Sequence, residues 1–348
     1  MDFSPRPGDA ARTHGPGDAT PTTAPATRPQ TTTSSTRLHP TAPATRYVSF
    51  GPGDAPPAHG RLSYFRSATK GEPVEDRFAA EAIASDISAY TELGDHRTGW
   101  PADNAVSDWL VAELQAAGLT AEQVSFSFPL VQPEPSWVGI GGRRVTGAPL
   151  YDGGVTGPNG VAGRLTDDAT HADGGLLVLR DAPIAAHGRG TPWAEARPAG
   201  VILISGDPEG AVLHRNAERI DRPFQVPVLQ VARRDATPIE AAISTGDSAT
   251  LVVRTQRMSG TATNVVAALP ATTGQADEAI VLMTPKSGWG PCAAERSDGI
   301  VIELALARHL AALPERRREV RCLFTGGHEL AHYGLCSLLR DRPALGSG

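Results

Sequence analysis

Gly326-Gly327-His328-Glu329-Leu330-Ala331-His332-Tyr333-Gly334-Leu335 lies close to the C-terminus of a 348-residue chain and admits two readings with different chemistry. Taken alone, His328, Glu329 and His332 spell HExxH. On a helix, that spacing sets two imidazoles at i and i+4 on one face, beside a general base, and suits a zinc ion. Taken with what precedes it, the stretch follows an apolar run at 319–324 and a Gly pair. It then reads as a strand-to-helix turn, with the helix beginning around Glu329.

The neighbouring pattern supports the second placement. Residues 264–269 and 280–283 read as strands, 300–313 as a helix apolar on most faces and therefore buried, and 319–324 as a further strand. Such alternation points to an α/β layered sheet, where chemistry gathers beyond the C-terminal ends of the strands. Both 284–292 and 325–332 lie at such ends. Upstream, Ala79, Ile83, Ile87 and Tyr90 recur at helical spacing, as do Val106, Leu110, Leu114 and Ala117. Pro101 and Asp103 introduce the second helix, Gly118 stops it, and 94–99 is the turn between the two. From 129 to 255 the texture changes to short strands between Gly and Pro, clearest at 176–179, 201–204, 226–229 and 251–253, with one helix at 236–244. His171, His187 and His214 share no spacing there and read as surface residues.

The remainder of the chain sets bounds. Residues 1–70 are dominated by Pro, Thr, Ala and Gly, with GPGDA at 15–19 and again at 51–55. That composition buries too little apolar area to offset its ordering entropy, so a disordered tail is expected. Overall the chain is 40% hydrophobic and 20% charged, the balance of a globular protein diluted by 30 Pro and 37 Gly. A net charge of -6 gives no reason to expect nucleic acid or an anionic membrane as partner. Cys292, Cys322 and Cys336 form neither a disulfide framework nor a CxxC metal knuckle. No apolar run approaches the ~18 residues of a membrane span. The first residues, Met1-Asp2-Phe3-Ser4-Pro5, lack a basic start and apolar core, so a cytoplasmic location is expected.

The order of helix, helix, β-rich insert, Thr-Asn-Val-Val strand, apolar strand with a polar tip, Gly-containing helix start, strand and Glu turn resembles one family. It is that of the two-zinc exopeptidases, including bacterial secreted aminopeptidases, glutamate carboxypeptidase and the transferrin receptor. The insert resembles a protease-associated domain at 175–179, 199–202 and 226–228. The resemblance implies metal ligands from a His-x-Asp-Ser strand tip, a bridging Asp usually followed by Asn, a Glu-Glu pair, and a later Asp and His. In the pair, the first Glu would be general base and the second a zinc ligand. Two zinc ions need that many carboxylates to be nearly neutralised.

This sequence departs from the pattern at almost every position. The strand tip is Thr284-Pro285-Lys286-Ser287, which sets Thr284 at the His position and Lys286 at the Asp position; a one-residue shift gives Pro285 and Ser287. Glu295-Arg296 replaces the bridging pair, and His328-Glu329 replaces Glu-Glu. Glu329 is the retained ligand type, and Glu295 a substitute. Lys286 and Arg296 would oppose two divalent ions and are expected to pair instead with Glu295 and Glu329.

The expected architecture is an α/β, three-layer zinc-exopeptidase-like sheet domain with an inserted β-rich protease-associated-like module. Its divisions are a tail at 1–70, N-terminal helices at 71–128, the insert at 129–259 and the α/β domain at 260–348. The resemblance implies a sheet incomplete at its C-terminus, leaving an unpaired edge. Three functions stay open. The first is an aminopeptidase-like protein whose two-zinc site is largely lost, inactive or altered. The second is a one-metal peptide hydrolase with zinc on His328 and His332, Glu329 as base and Glu295 as a third ligand. The third is a Cys292 nucleophile activated by Lys286, Arg296 or His328. The partner that the resemblance implies is a peptide or protein N-terminus. The cofactor is zinc, or none if the site is lost.

Overall fold

Two long strands carry the architecture: β1 (Thr120–Pro133) and β9 (Thr255–Leu269). They pair antiparallel along their whole length, from Thr120 opposite Ala268 to Pro133 opposite Thr255. Val124, Phe126 and Phe128 alternate with Ser125 and Ser127, the period of a strand with one buried face, and both Phe rings are buried. One end of this ribbon lies in a four-stranded sheet of order β1-β9-β11-β10. There β10 (Ile280–Pro285) runs parallel to β11 (Val320–Thr325), which is antiparallel to β9. The computed structural model describes residues 78–180, 196–206, 210–274 and 278–345; the expected tail at 1–70 and His187 lie outside the described residues.

The other end of the ribbon leads into a closed barrel of order β2-β3-β7-β6-β5-β4-β8. Its strands are β2 (Ser136–Ile140), β3 (Arg143–Pro149), β4 (Val161–Thr166), β5 (Leu176–Arg180), β6 (Gly200–Ile204), β7 (Val228–Val231) and β8 (Ser248–Val252). β5, β6 and β7 run parallel, and their near-continuous burial explains the apolar runs of the sequence. The helix expected at 236–244 is α3 (Thr237–Thr245), which packs Ile239 and Ala242 into the barrel core and ends on the left-handed Gly246.

Alternate residues of β9 and β11 face two helical layers. Val265, Cys322 and Phe324 pack with Tyr90 of α1 (Ala80–Glu92), Val106, Leu110 and Leu114 of α2 (Pro101–Ala116), and Ile300 and Leu304 of α4 (Ser297–Ala312). Val266 and Leu323 pack with Leu338 of α5 (Tyr333–Asp341) on the opposite face. The domain is thus the three-layer α/β arrangement expected. Within β10, the last strand of the sheet among the described residues, Ile280 and Met283 are exposed, as is Ile302 of α4. Among the described residues no helix is long and apolar enough to cross a membrane.

One expectation is corrected. The helix after β11 begins at Tyr333, not around Glu329. Gly327, Ala331 and His332 adopt positive φ of 73°, 55° and 57°, and two consecutive left-handed residues cannot continue a right-handed helix. His328, Glu329 and His332 therefore lie in a turn rather than on the helix that HExxH requires.

Candidate functional site

Three loops meet beyond the C-terminal ends of β10 and β11: the α1–α2 turn, the segment after β10, and the turn before α5. Glu329 ties them together. Its side chain is 1% exposed, and Oε1 accepts the Thr98 amide (3.0 Å) and the Thr98 hydroxyl (2.6 Å). Oε2 accepts the Ser287 hydroxyl at 2.9 Å. The Gly327 amide reaches both hydroxyl oxygens, at 3.0 Å to Thr98 and 2.8 Å to Ser287. Burial pushes the Glu329 carboxyl above its ordinary range, with the Thr98 bonds pulling the other way. A fourth segment, from the barrel, lies against the same turn: the Ala217 amide donates to the Glu329 carbonyl at 2.8 Å, and Ala217 bridges Leu330.

Lys286 departs from expectation. Its ammonium forms an ion pair with Asp103 and donates to the Asp103 carbonyl at 3.1 Å, with both side chains 0% exposed. It pairs with neither Glu295 nor Glu329. The Asp103 carboxylate is enclosed at the first turn of α2, where water does not screen the attraction, whereas Glu295 is more than half exposed. Asp103 Oδ2 also accepts the Gly99 amide at 2.8 Å. Arg296 meets Glu295 as expected, at 2.7 Å, and donates through Nε to the Ser287 carbonyl at 2.8 Å. Thr284 is buried against the first turn of α4, where its hydroxyl leaves Gly299 no room for a Cβ.

His328 and His332 do come together, at the surface, with Nδ1 atoms 3.2 Å apart and ring centroids 4.5 Å apart. Partial burial, aided by the charge of Arg296 and by His332, holds His328 down at about 4. Cys292 lacks the setting of a nucleophile: burial pushes its thiol up to about 12, and Sγ donates to the Trp289 carbonyl at 3.2 Å. The cations expected to activate it, Lys286 and Arg296, are engaged elsewhere.

Aromatic side chains wall the mouth. The Arg97 guanidinium lies 4.7 Å from the Trp100 ring centroid and 5.7 Å from that of Trp289, and Trp289 stacks on His214 at 5.4 Å. Trp289 Nε1 donates to Asn216 at 3.0 Å. His214 is therefore no simple surface residue, and burial holds it down at about 4, whereas His171 is exposed beside Asp168. A separate groove of about 460 Å³ runs between residues 218–222 and α5, lined by Arg219, Arg222, Tyr333, Cys336 and Arg340. Sequence reasoning missed Thr98 and Asp103. Thr98 carried no signal beyond its turn, and Asp103 read as a helix-start residue. A Pro at the first helical position already explained that start, and this left the Asp open to another role.

No protein-family model and no curated protein sequence matches the chain. Solved structures do. A peptidase M28 precursor from Shewanella amazonensis superposes with a TM-score of 0.63 at 20% identity, over 78% of this chain and 70% of that one. A zinc aminopeptidase from Bacillus subtilis gives 0.61 at 18% identity, over 76% and 65%. An aminopeptidase from Aneurinibacillus gives 0.57 at 15%, over 77% and 67%. The chain thus spans about two thirds of the length of these solved structures and shares their fold.

Proposed function

We propose that this chain, which carries the zinc aminopeptidase fold, is a divergent member of the two-zinc exopeptidase family that binds in its cleft without cleaving by two-metal chemistry. Lys286 carries the reading. On the alignment set by Ser287, a fully enclosed ammonium falls where the resemblance would put a carboxylate, and its partner Asp103 is held in place by the Gly99 amide. The other donors support it too. Glu329 is engaged by three hydrogen bonds, Arg296 occupies the position after Glu295, and among the described residues no three His, Cys, Asp or Glu side chains converge as a metal-binding group. This donor set does not fit two zinc ions, which need several carboxylates free to coordinate.

A one-metal hydrolase on HExxH has less support, because Glu329 is buried among Thr98 and Ser287 while His332 is exposed and His328 half-buried. The ligand class that the fold suggests is a peptide or protein N-terminus, with Trp289 and Trp100 as the wall it would meet. Metal analysis of the zinc-dialysed protein, run beside hydrolysis of aminoacyl anilides, tests the reading. Fewer than two zinc ions per chain and no hydrolysis are expected; two ions with turnover would refute it. Quenching of tryptophan fluorescence by a short peptide, but not by its N-acetylated form, is the expected sign of N-terminus binding.

A further inference from the structure

We propose that His328 and His332 form a surface chelate for one late first-row divalent ion, taken up as Cu²⁺ ahead of Ni²⁺ or Zn²⁺, with water completing its coordination. The proposal is independent of whether the cleft cleaves peptides. Its basis is geometric. Two nitrogens 3.2 Å apart, each about 2.05 Å from an ion, subtend an angle of about 103° at that ion, between the right angle of a tetragonal ion and the tetrahedral angle and within reach of both. The rings stand at 84° to one another, so the Nδ1 atoms approach without the rings stacking. Imidazole donors suit copper, nickel and zinc, and copper leads that series in affinity.

The backbone supplies a second observation. Ala331 and His332 are both left-handed, at φ 55° and 57°, an uncommon conformation for residues with a side chain. The bend they make brings His332 back over His328 although neither lies within a helix. Elsewhere the turn is fixed: Ala217 holds the Glu329 carbonyl, and Thr98 and Ser287 hold its carboxylate. The chelate is therefore preorganised, and the ion would not have to order its own ligands. Arg296 opposes a nearby cation, but Glu295 neutralises it at 2.7 Å. Glu329 is outside the donor set, its oxygens already engaged by Thr98 and Ser287, so an ion here would lack the general base of a hydrolytic HExxH centre. Its role would be to lock the turn onto α5.

The test uses the full chain without an affinity tag, titrated with Cu²⁺ and with Zn²⁺ by calorimetry. His328→Asn, His332→Asn and the double variant are titrated alongside, with circular dichroism confirming that each folds. The strongest site should weaken roughly tenfold or more in each single variant and vanish in the double variant. Electron paramagnetic resonance of the Cu²⁺ form should show hyperfine coupling to two imidazole nitrogens in the parent and one in each single variant. A strongest site that survives in the double variant, or parent spectra showing fewer than two imidazole nitrogens, would overturn the proposal. Neither outcome bears on anilide hydrolysis, so this proposal and the functional reading fail separately.

Discussion

Replacing Lys286 by Met should expose how much of this fold depends on the enclosed ion pair between Lys286 and Asp103. The pair is enclosed at both ends, 0% exposed for Lys286 and for Asp103. In Lys286→Met the Asp103 carboxylate keeps the Gly99 amide at 2.8 Å but loses its counter-charge without regaining water. Breaking a buried pair from one side costs about 3–5 kcal/mol, a loss of roughly two to three and a half powers of ten in the folding constant. Adding Asp103→Asn removes the stranded charge. The Asn amide oxygen can still accept from Gly99, and the Asp103 main-chain carbonyl still receives the Ser107 hydroxyl at 3.2 Å. The double variant should therefore recover to within about 2 kcal/mol of the parent, since a well-packed neutral replacement for a buried pair is often close to neutral. Urea unfolding of the parent, both single variants and the double variant closes a double-mutant cycle, read at equal m-values. If Lys286→Met costs under about 1 kcal/mol, or the double variant loses the sum of the two singles, the two residues are not charge-coupled and the argument from Lys286 fails.

Other outcomes follow from the same structure. Burial pushes Glu303 up to about 8, against an ordinary 4.5, with the Leu323 amide offsetting part of the shift. Between those values the native state holds a proton that the unfolded chain has lost, so this group makes stability fall as pH rises from about 4.5 to 8. Glu303→Gln should flatten that slope, and urea midpoints at pH 5 and pH 8 for parent and variant check it; an unchanged slope counts against the assignment. Cys336 is exposed while Cys292 and Cys322 are each raised to about 12 by burial. Iodoacetamide at pH 8 should thus label Cys336 first by mass spectrometry, and early labelling of Cys292 would revive a nucleophilic role. A Cβ at Gly334 would collide with the Gly326 carbonyl and stand 2.7 Å from Asn264 Oδ1. Gly334→Ala should lower stability by about 1–3 kcal/mol, the range of overpacking, measurable as a drop in the urea midpoint.

Much of the fold was legible in the sequence because repeats leave a periodic trace. The helices α2, α3 and α4 and the strands β5, β6, β10 and β11 lie where 3.6-residue or short apolar patterns put them. The long strand β1 is legible too, in the alternation of Val124, Phe126 and Phe128 with serine. The turn before α5 was not legible. HExxH is also the pattern of a helix, and only the left-handed backbone at Ala331 and His332 separates the two.

What the sequence determined alone was the layered α/β arrangement with a β-rich insert, and the identity of the residues that follow its strands, among them Thr284, Lys286, Arg296 and His328. Those statements depend on local period or on residue identity at a place in the chain. What tertiary structure decided was the use of those residues. Lys286 meets Asp103 across 183 positions, and Glu329 meets Thr98 across 231. No local pattern encodes such partners, because their choice depends on which groups packing removes from water together. Glu295 was the nearer carboxylate in sequence, yet its side chain is more than half exposed, and an attraction screened by water cannot compete with one enclosed at the first turn of α2.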